Sequence, residues 1–245
     1  YRLHPDYPLV LAANRDEFFA RPTEPLHQWP DAPGLFAGRD TRAGGTWMGV
    51  SDRGRFAAVT NFRQPGGKEG PRSRGELVSR FLLGNQTPTE FVAHELERPD
   101  DFAGFNLLLA DQDGLHYVSN RNGRSTAQVL QPGLYGLSNH LLDTPWPKVR
   151  RGKARLFAAL QGSAADYDEN LWHLLADTEP AADHELPNTG IERAWEKILS
   201  AAFIRTADYG TRCSTVLRVT ASGRVTLREK TFPAPGTADY TAPAQ

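Results

Sequence analysis

The sequence predicts an α+β protein, with antiparallel strands grouped apart from paired helices. Three observations carry this prediction. Short apolar runs separated by glycine turns fill the first sixty residues at hairpin spacing, which leaves no room for crossover helices. Helix start signals and 3.6-residue periodicity follow in two separate blocks. The chain then closes on two further apolar runs around Ser222-Gly223, which reads as a terminal hairpin.

In order, the strand-like runs are 9–13, 35–38, 46–50 and 56–60, punctuated by Gly34, Gly44, Gly45 and Gly54. Two helices are expected next. Ser73-Arg74-Gly75-Glu76 and Thr87-Pro88-Thr89-Glu90 both have the spacing of a capping box, the second with Pro at the first helical position. Leu77, Val78, Phe81 and Leu82 give the first an apolar face, and Phe91, Val92 and Leu96 do so for the second. Strands return at 106–110, 115–119, 128–130 and 134–138. Helices are read over about 148–160 and 167–175, and a third at Ile191, Ala194, Trp195, Ile198, Leu199 and Ala202. The closing hairpin covers 214–219 and 225–232, and the Pro-rich segment 233–245 is expected to be a mobile tail. No internal repeat and no convincing linker divides the 245 residues, so one domain is expected.

Composition narrows the function. The net charge of −1 gives no global attraction to nucleic acid or an anionic membrane, and no stretch is apolar enough to span a bilayer. The single cysteine, Cys213, permits neither an internal disulfide nor a cysteine metal cluster, and a cytoplasmic setting is the expectation. Arg outnumbers Lys by 23 to 5, which reads as base composition of a bacterial source. Gly44-Gly45-Thr46-Trp47-Met48-Gly49 lacks the Lys-Ser/Thr of a phosphate loop, and His94-Glu95 lacks a second His because position 98 is Arg. Gly136-Leu137-Ser138-Asn139 lacks the closing Gly of a nucleophile elbow. Lys148, Arg150, Arg151, Lys153 and Arg155 read as the solvated face of a helix. No metal site is expected.

The string that bears most on chemistry is Asn14-Arg15-Asp16-Glu17, placed where the run 9–13 is expected to give way to a loop. An amide, a guanidinium fork and two carboxylates side by side can hold a polar reacting group in fixed geometry. A surface ion pair at a strand end is the plainer account of the same residues.

Together with other strings, that tetrapeptide resembles the NRDE family, also called the transport and Golgi organization 2 family, over nearly the whole chain. The matching stretches are Ala13-Asn14-Arg15-Asp16-Glu17, Arg21-Pro22, Ala37-Gly38-Arg39-Asp40, Gly44-Gly45-Thr46-Trp47-Met48-Gly49 and Thr60-Asn61-Phe62-Arg63. They continue with Ser73-Arg74-Gly75-Glu76-Leu77, Gly136-Leu137-Ser138-Asn139, Asp143-Thr144-Pro145-Trp146-Pro147-Lys148 and Tyr209-Gly210-Thr211-Arg212. The resemblance implies an N-terminal-nucleophile (Ntn) hydrolase-like fold, a four-layer αββα sandwich of mostly antiparallel sheets. Family members usually begin Met-Cys. Met48 is the only methionine here, so residues ahead of Tyr1, including that Cys and most of a first strand, are expected to be missing from the sequence. Pro5-Asp6-Tyr7-Pro8 would then be the turn after that strand.

In an Ntn hydrolase the first residue attacks a carbonyl while its own α-amine, with a pKa of about 8, serves as base. By position, Arg15 and Asp16 resemble the Arg/Asp pair of such sites, Asn61 and Asn139 the oxyanion-holding amides, and Arg212 a further C-terminal Arg. Asn61 and Asn139 also fit plain strand-end caps, and Arg63 and Arg212 fit a structural network with Asp16, Glu17 or Asp40. Cys213 is read as a buried strand residue rather than a nucleophile.

The expected function is a cysteine amidohydrolase acting on a small amide, without a cofactor. The alternative is a non-catalytic haem or lipid carrier on the same fold, with His140 as the candidate axial ligand. The expected partner is a small-molecule ligand or substrate.

Overall fold

A computed structural model describes residues 1–67, 69–123, 125–162, 167–234 and 236–242. The chain divides into two compact units, one of Tyr1–Arg21, Pro132–Leu137 and Asp143–Ala244, the other of Pro22–Gln131 and Ser138–Leu142. Each is built on one sheet, and every pair of neighbouring strands in both sheets is antiparallel. The α+β expectation with two antiparallel sheets is met.

The first unit contains β1 (Leu9–Phe18), α3 (Pro147–Gln161), α4 (Tyr167–Leu175), α5 (Arg193–Ile198), β9 (Tyr209–Val219), β10 (Val225–Thr231) and β11 (Gly236–Thr241). Its sheet has the order β1-β9-β10-β11. Side chains alternate between the faces of a strand, and the even-numbered residues of β1 meet the helices. Val10, Ala12 and Val216 pack with Leu156, Leu160, Leu171, Trp172 and Leu175 of α3 and α4.

The second unit contains β2 (Thr23–Trp29), β3 (Ala32–Asp40), β4 (Met48–Ser51), β5 (Phe56–Asn61), α1 (Arg74–Leu83), α2 (Pro88–Glu95), β6 (Phe105–Asp111), β7 (Gly114–Ser119) and β8 (Gln128–Val129). The strands follow one another in chain order as a seven-stranded meander. Leu77, Val78, Phe81 and Leu82 of α1 and Phe91 and Val92 of α2 bury against Leu35, Ala57, Leu107 and Leu109 of the sheet. Phe81 and Phe91 meet edge to face with centroids 5.3 Å apart, the arrangement the ring quadrupole favours. Gly45 is needed where it stands, since a Cβ there would lie 2.5 Å from the carbonyl carbon of Gly75 at the start of α1.

Several local expectations are corrected. Asn14-Arg15-Asp16-Glu17 lies inside β1, which runs on to Phe18, and not in a loop. The residues 134–138 form no strand. That segment is a loop closed on itself, with the Gly136 amide donating to Asp143 Oδ1 at 2.8 Å and the Asp143 amide donating to the Gly136 carbonyl at 2.8 Å. Part of the expected tail is β11, paired along β10 from Thr226 to Thr231.

The Thr87 capping box forms as read. The Ser73 box does not, and Glu76 pairs instead with Arg72 at 2.6 Å and Arg80 at 3.0 Å. The same two guanidinium groups reach the buried Glu95 at 2.8 and 2.9 Å, which ties α1 to α2. The last helix is six residues long, far shorter than the periodic run 191–202. Its inward residue is Glu196, whose Oε1 accepts from the Thr189 amide at 2.8 Å and hydroxyl at 2.6 Å, while Trp195 and Ile198 stay exposed.

Candidate functional site

β1 and β9 pair without interruption from Leu9↔Val219 to Arg15↔Cys213, after which the register jumps to Asp16↔Thr211. The extra residue on β9 is Arg212, so a β-bulge sits beside the tetrapeptide singled out in the sequence. Bulges re-aim side chains, and this one governs what the four residues do.

Asn14 belongs to the helix-side face. Its Nδ2 donates to the carbonyls of Leu175 at 2.8 Å and Ala202 at 2.7 Å, and its Oδ1 accepts from the Ser214 hydroxyl at 2.7 Å. All the polar atoms of the side chain are used in holding the chain together. Asp16, two residues on, shares that face. Thr211 Oγ1 donates to its Oδ1 at 2.7 Å. Burial raises the Asp16 pKa above the ordinary carboxylate value, opposed by the nearby Lys148 ammonium, the Thr211 bond and Arg15.

Arg15 lies on the opposite face, level with Cys213, and the next pair of the ladder on that face is Thr215 and Glu229. Cys213, Thr215 and Glu229 are all buried. Thr215 Oγ1 lies 3.4 Å from Glu229 Oε2. A guanidinium, a thiol, a hydroxyl and a carboxylate therefore share one patch of sheet. The Cys213 thiol is pushed well above its usual pKa by burial and then by Glu229, with Arg15 pulling the other way. The thiolate is scarce at neutral pH, which fits an inert strand residue.

Arg212 is engaged with backbone. Its Nη1 donates to the carbonyls of Phe18 at 2.9 Å, Arg21 at 2.9 Å and Phe19 at 3.4 Å, holding the turn that leaves β1. Glu17 faces Arg21 at 3.9 Å, a long, partly solvated pair that contributes little.

The second unit brings Asn61 and Asn139 together. Asn139 Nδ2 donates to the Asn61 carbonyl at 3.1 Å, and the Arg63 amide donates to the Asn139 carbonyl at 2.7 Å. Around them runs a network that the sequence reading missed. Asn106, fully buried in β6, donates through Nδ2 to Thr60 Oγ1 at 3.1 Å and to the His140 carbonyl at 3.0 Å, and accepts at Oδ1 from the Tyr117 hydroxyl at 2.8 Å. The Thr60 hydroxyl donates to the Ser138 carbonyl at 3.0 Å, and the Leu142 amide donates to the Tyr117 oxygen at 3.2 Å. Burial raises the Tyr117 pKa, so its hydroxyl remains a donor. Segment 138–142 is thus fastened onto the ends of β5, β6 and β7. The one available signal was a lone amide, Asn106, at the head of an apolar strand.

The His140 ring lies against Phe62 with centroids 4.8 Å apart and planes tilted by 35°. Of the residues singled out from sequence, Arg15, Asp16 and Arg212 belong to the first unit and Asn61, Asn139 and His140 to the second. Among the described residues no group of three His, Cys, Asp or Glu side chains is placed to hold a metal ion, and no helix is long and apolar enough to cross a membrane.

The family model for Transport and Golgi organisation 2 matches residues 1–234. The mouse Transport and Golgi organization 2 homolog is 37% identical over 241 residues, covering 92% of this chain and 87% of the relative. The Bos taurus homolog is 39% identical over 242 residues with the same coverage, and the Drosophila melanogaster protein 26% identical over 247. Among solved structures the chain is similar to a mutant form of conjugated bile acid hydrolase from Clostridium perfringens, at TM-score 0.42 and 9% identity over 84% of this chain and 76% of that one. The ordered motifs and these relatives agree, and the chain belongs to the Transport and Golgi organisation 2 family.

Proposed function

We propose that this protein is an Ntn-hydrolase-like cysteine amidohydrolase acting on a small linear or cyclic amide, with Arg15 fixing the polar end of its substrate. The observation that supports this is the placing of Arg15 on a sheet face with buried Cys213, Thr215 and Glu229, beside a bulge. Buried ionisable clusters of this kind are a recurrent mark of functional sites. A guanidinium donates two parallel bonds to a carboxylate or carbonyl, which orients the substrate as well as holding it.

Asp16 and Asn14 lie on the other face and act by position: they set the course of β1, and with it the aim of Arg15. Asn61 and Asn139 keep the oxyanion role implied by the family resemblance. The Asn139 amide carries a second N–H beyond the one given to the Asn61 carbonyl. The nucleophile in this reading is an N-terminal cysteine ahead of Tyr1. Its thiol attacks the amide carbon, the α-amine takes the thiol proton and passes it to the leaving amine, and water then hydrolyses the thioester.

The test is intact mass and N-terminal sequencing of the full-length protein purified from cells, followed by an amide panel read by amine release. A mature N-terminal Cys and turnover that Arg15→Lys abolishes, with unchanged far-UV circular dichroism, is the expected result. A retained Met, or a first residue other than Cys, overturns the α-amine mechanism. If hemin then binds stoichiometrically with a defined Soret shift, carriage of haem replaces hydrolysis as the account of the fold.

A further inference from the structure

The helix-side face of the first unit holds a cleft of about 520 Å³ between α4 and the strands β9 and β10. That size falls in the range of small-molecule sites. Three aromatic rings are among its lining residues: Trp172 on α4, and Phe203 and Phe232, the latter two edge to face with centroids 4.9 Å apart. Lys230 of β10 lines it too, opposite Ser214 in the ladder, with Nζ 4.3 Å from the centroid of the Trp172 ring.

Charge inside the cleft is uneven. Asp168 is held by two guanidinium groups, Arg218 at 3.0 Å and Arg228 at 3.1 Å, so its charge is answered within the protein. Glu169 and His173 sit 3.8 Å apart on the open rim, both mostly exposed, where solvent screens them. Lys230 differs. Among the described residues no carboxylate approaches within 4.0 Å of its ammonium, and only an aromatic face partners it. A half-buried ammonium set on a ring and facing a cleft is a donor of up to three hydrogen bonds to an anion.

We propose that this cleft binds a small amphiphilic anion, a flat apolar body lying between Trp172 and Phe232 with one anionic group on Lys230. The site lies on the opposite sheet face from Arg15, so it is separate from the proposed catalytic patch and stands whether or not amide hydrolysis does.

The probe is 1-anilinonaphthalene-8-sulfonate, compared with N-phenyl-1-naphthylamine, which has the same ring system without the sulfonate. Both are titrated by fluorescence into the full chain, the Lys230→Gln variant and the Lys230→Arg variant. The expected result is saturable one-to-one binding of the sulfonate, about tenfold tighter than the neutral probe, as a charge-assisted bond supplies. Lys230→Gln erases that preference and Lys230→Arg keeps it, with circular dichroism unchanged in both. Non-saturating fluorescence, equal affinity for the two probes, or a preference that survives Lys230→Gln overturns the proposal.

Discussion

Replacing Asn14 with Ala is expected to destabilise the first unit without touching Arg15. The native side chain makes three hydrogen bonds, to the Leu175 and Ala202 carbonyls and from the Ser214 hydroxyl, at 2.7–2.8 Å. Each such bond contributes about 1 kcal/mol net, and the abandoned partners add desolvation cost where water cannot reach them. Because the residue is only half-buried, a working loss of about 2.5 kcal/mol is appropriate. With a urea m-value of about 3 kcal/mol/M for a chain of this size, the midpoint falls by about 0.8 M.

Asn14→Asp is the sharper variant. It keeps the shape but turns two donors into acceptors aimed at two carbonyl oxygens. Its midpoint at pH 7 is expected below that of Asn14→Ala, with partial recovery in acid as the new carboxyl regains a proton and one donor. Urea unfolding followed by far-UV circular dichroism at pH 7 and pH 4.5 decides it. A shift under about 0.2 M for both variants would refute the view that this residue is a structural fastener.

Two further outcomes are expected. Burial holds the Asp16 pKa above its unfolded value of about 3.9, so the stability from this group is full below that value and is lost as pH rises through the folded one. Asp16→Asn should flatten the stability profile on the acid side of neutrality and leave the protein at least as stable at pH 7, which a series of urea midpoints from pH 4 to 7 checks. Cys213 should react with Ellman's reagent at pH 8 about a hundredfold more slowly in the folded protein than in urea. Its raised pKa stabilises the fold fully below the unfolded value of about 8.5, and that contribution fades as pH climbs past it. Prompt labelling of the folded protein would contradict its burial.

The elements that were legible in the sequence are those whose signals are local. β5, β6 and β7 are near-continuous apolar runs because they are buried in the middle of a sheet, and α2 carries its own cap. The strands that were not foreseen, β2 and β11, are sheet edges. One contains Pro25 and the other shows mostly exposed residues, both tolerated where no neighbour needs the outer hydrogen bonds. The helix read over 191–202 forms only over Arg193–Ile198, because its periodic residues satisfy a longer helix without requiring one, and the bonds Glu196 makes to Thr189 were invisible. Arg15 could be picked out as chemically unusual. That Asn14 and Asp16 turn the other way could not, since their partners lie 161 to 200 residues further along the chain.

The bulge at Arg212 works as a phase switch in the chain. Up to Cys213 the position numbers of paired residues on β1 and β9 sum to one constant, and beyond it to another, so every residue of β9 before the bulge shows the face it would otherwise hide. Deleting Arg212 would restore an even ladder on paper. Thr211 would still fall opposite Asp16, but three carbonyls would lose their shared donor. Because the bulge takes up this one surplus residue, two sets of side chains, one structural and one available for chemistry, do not change places.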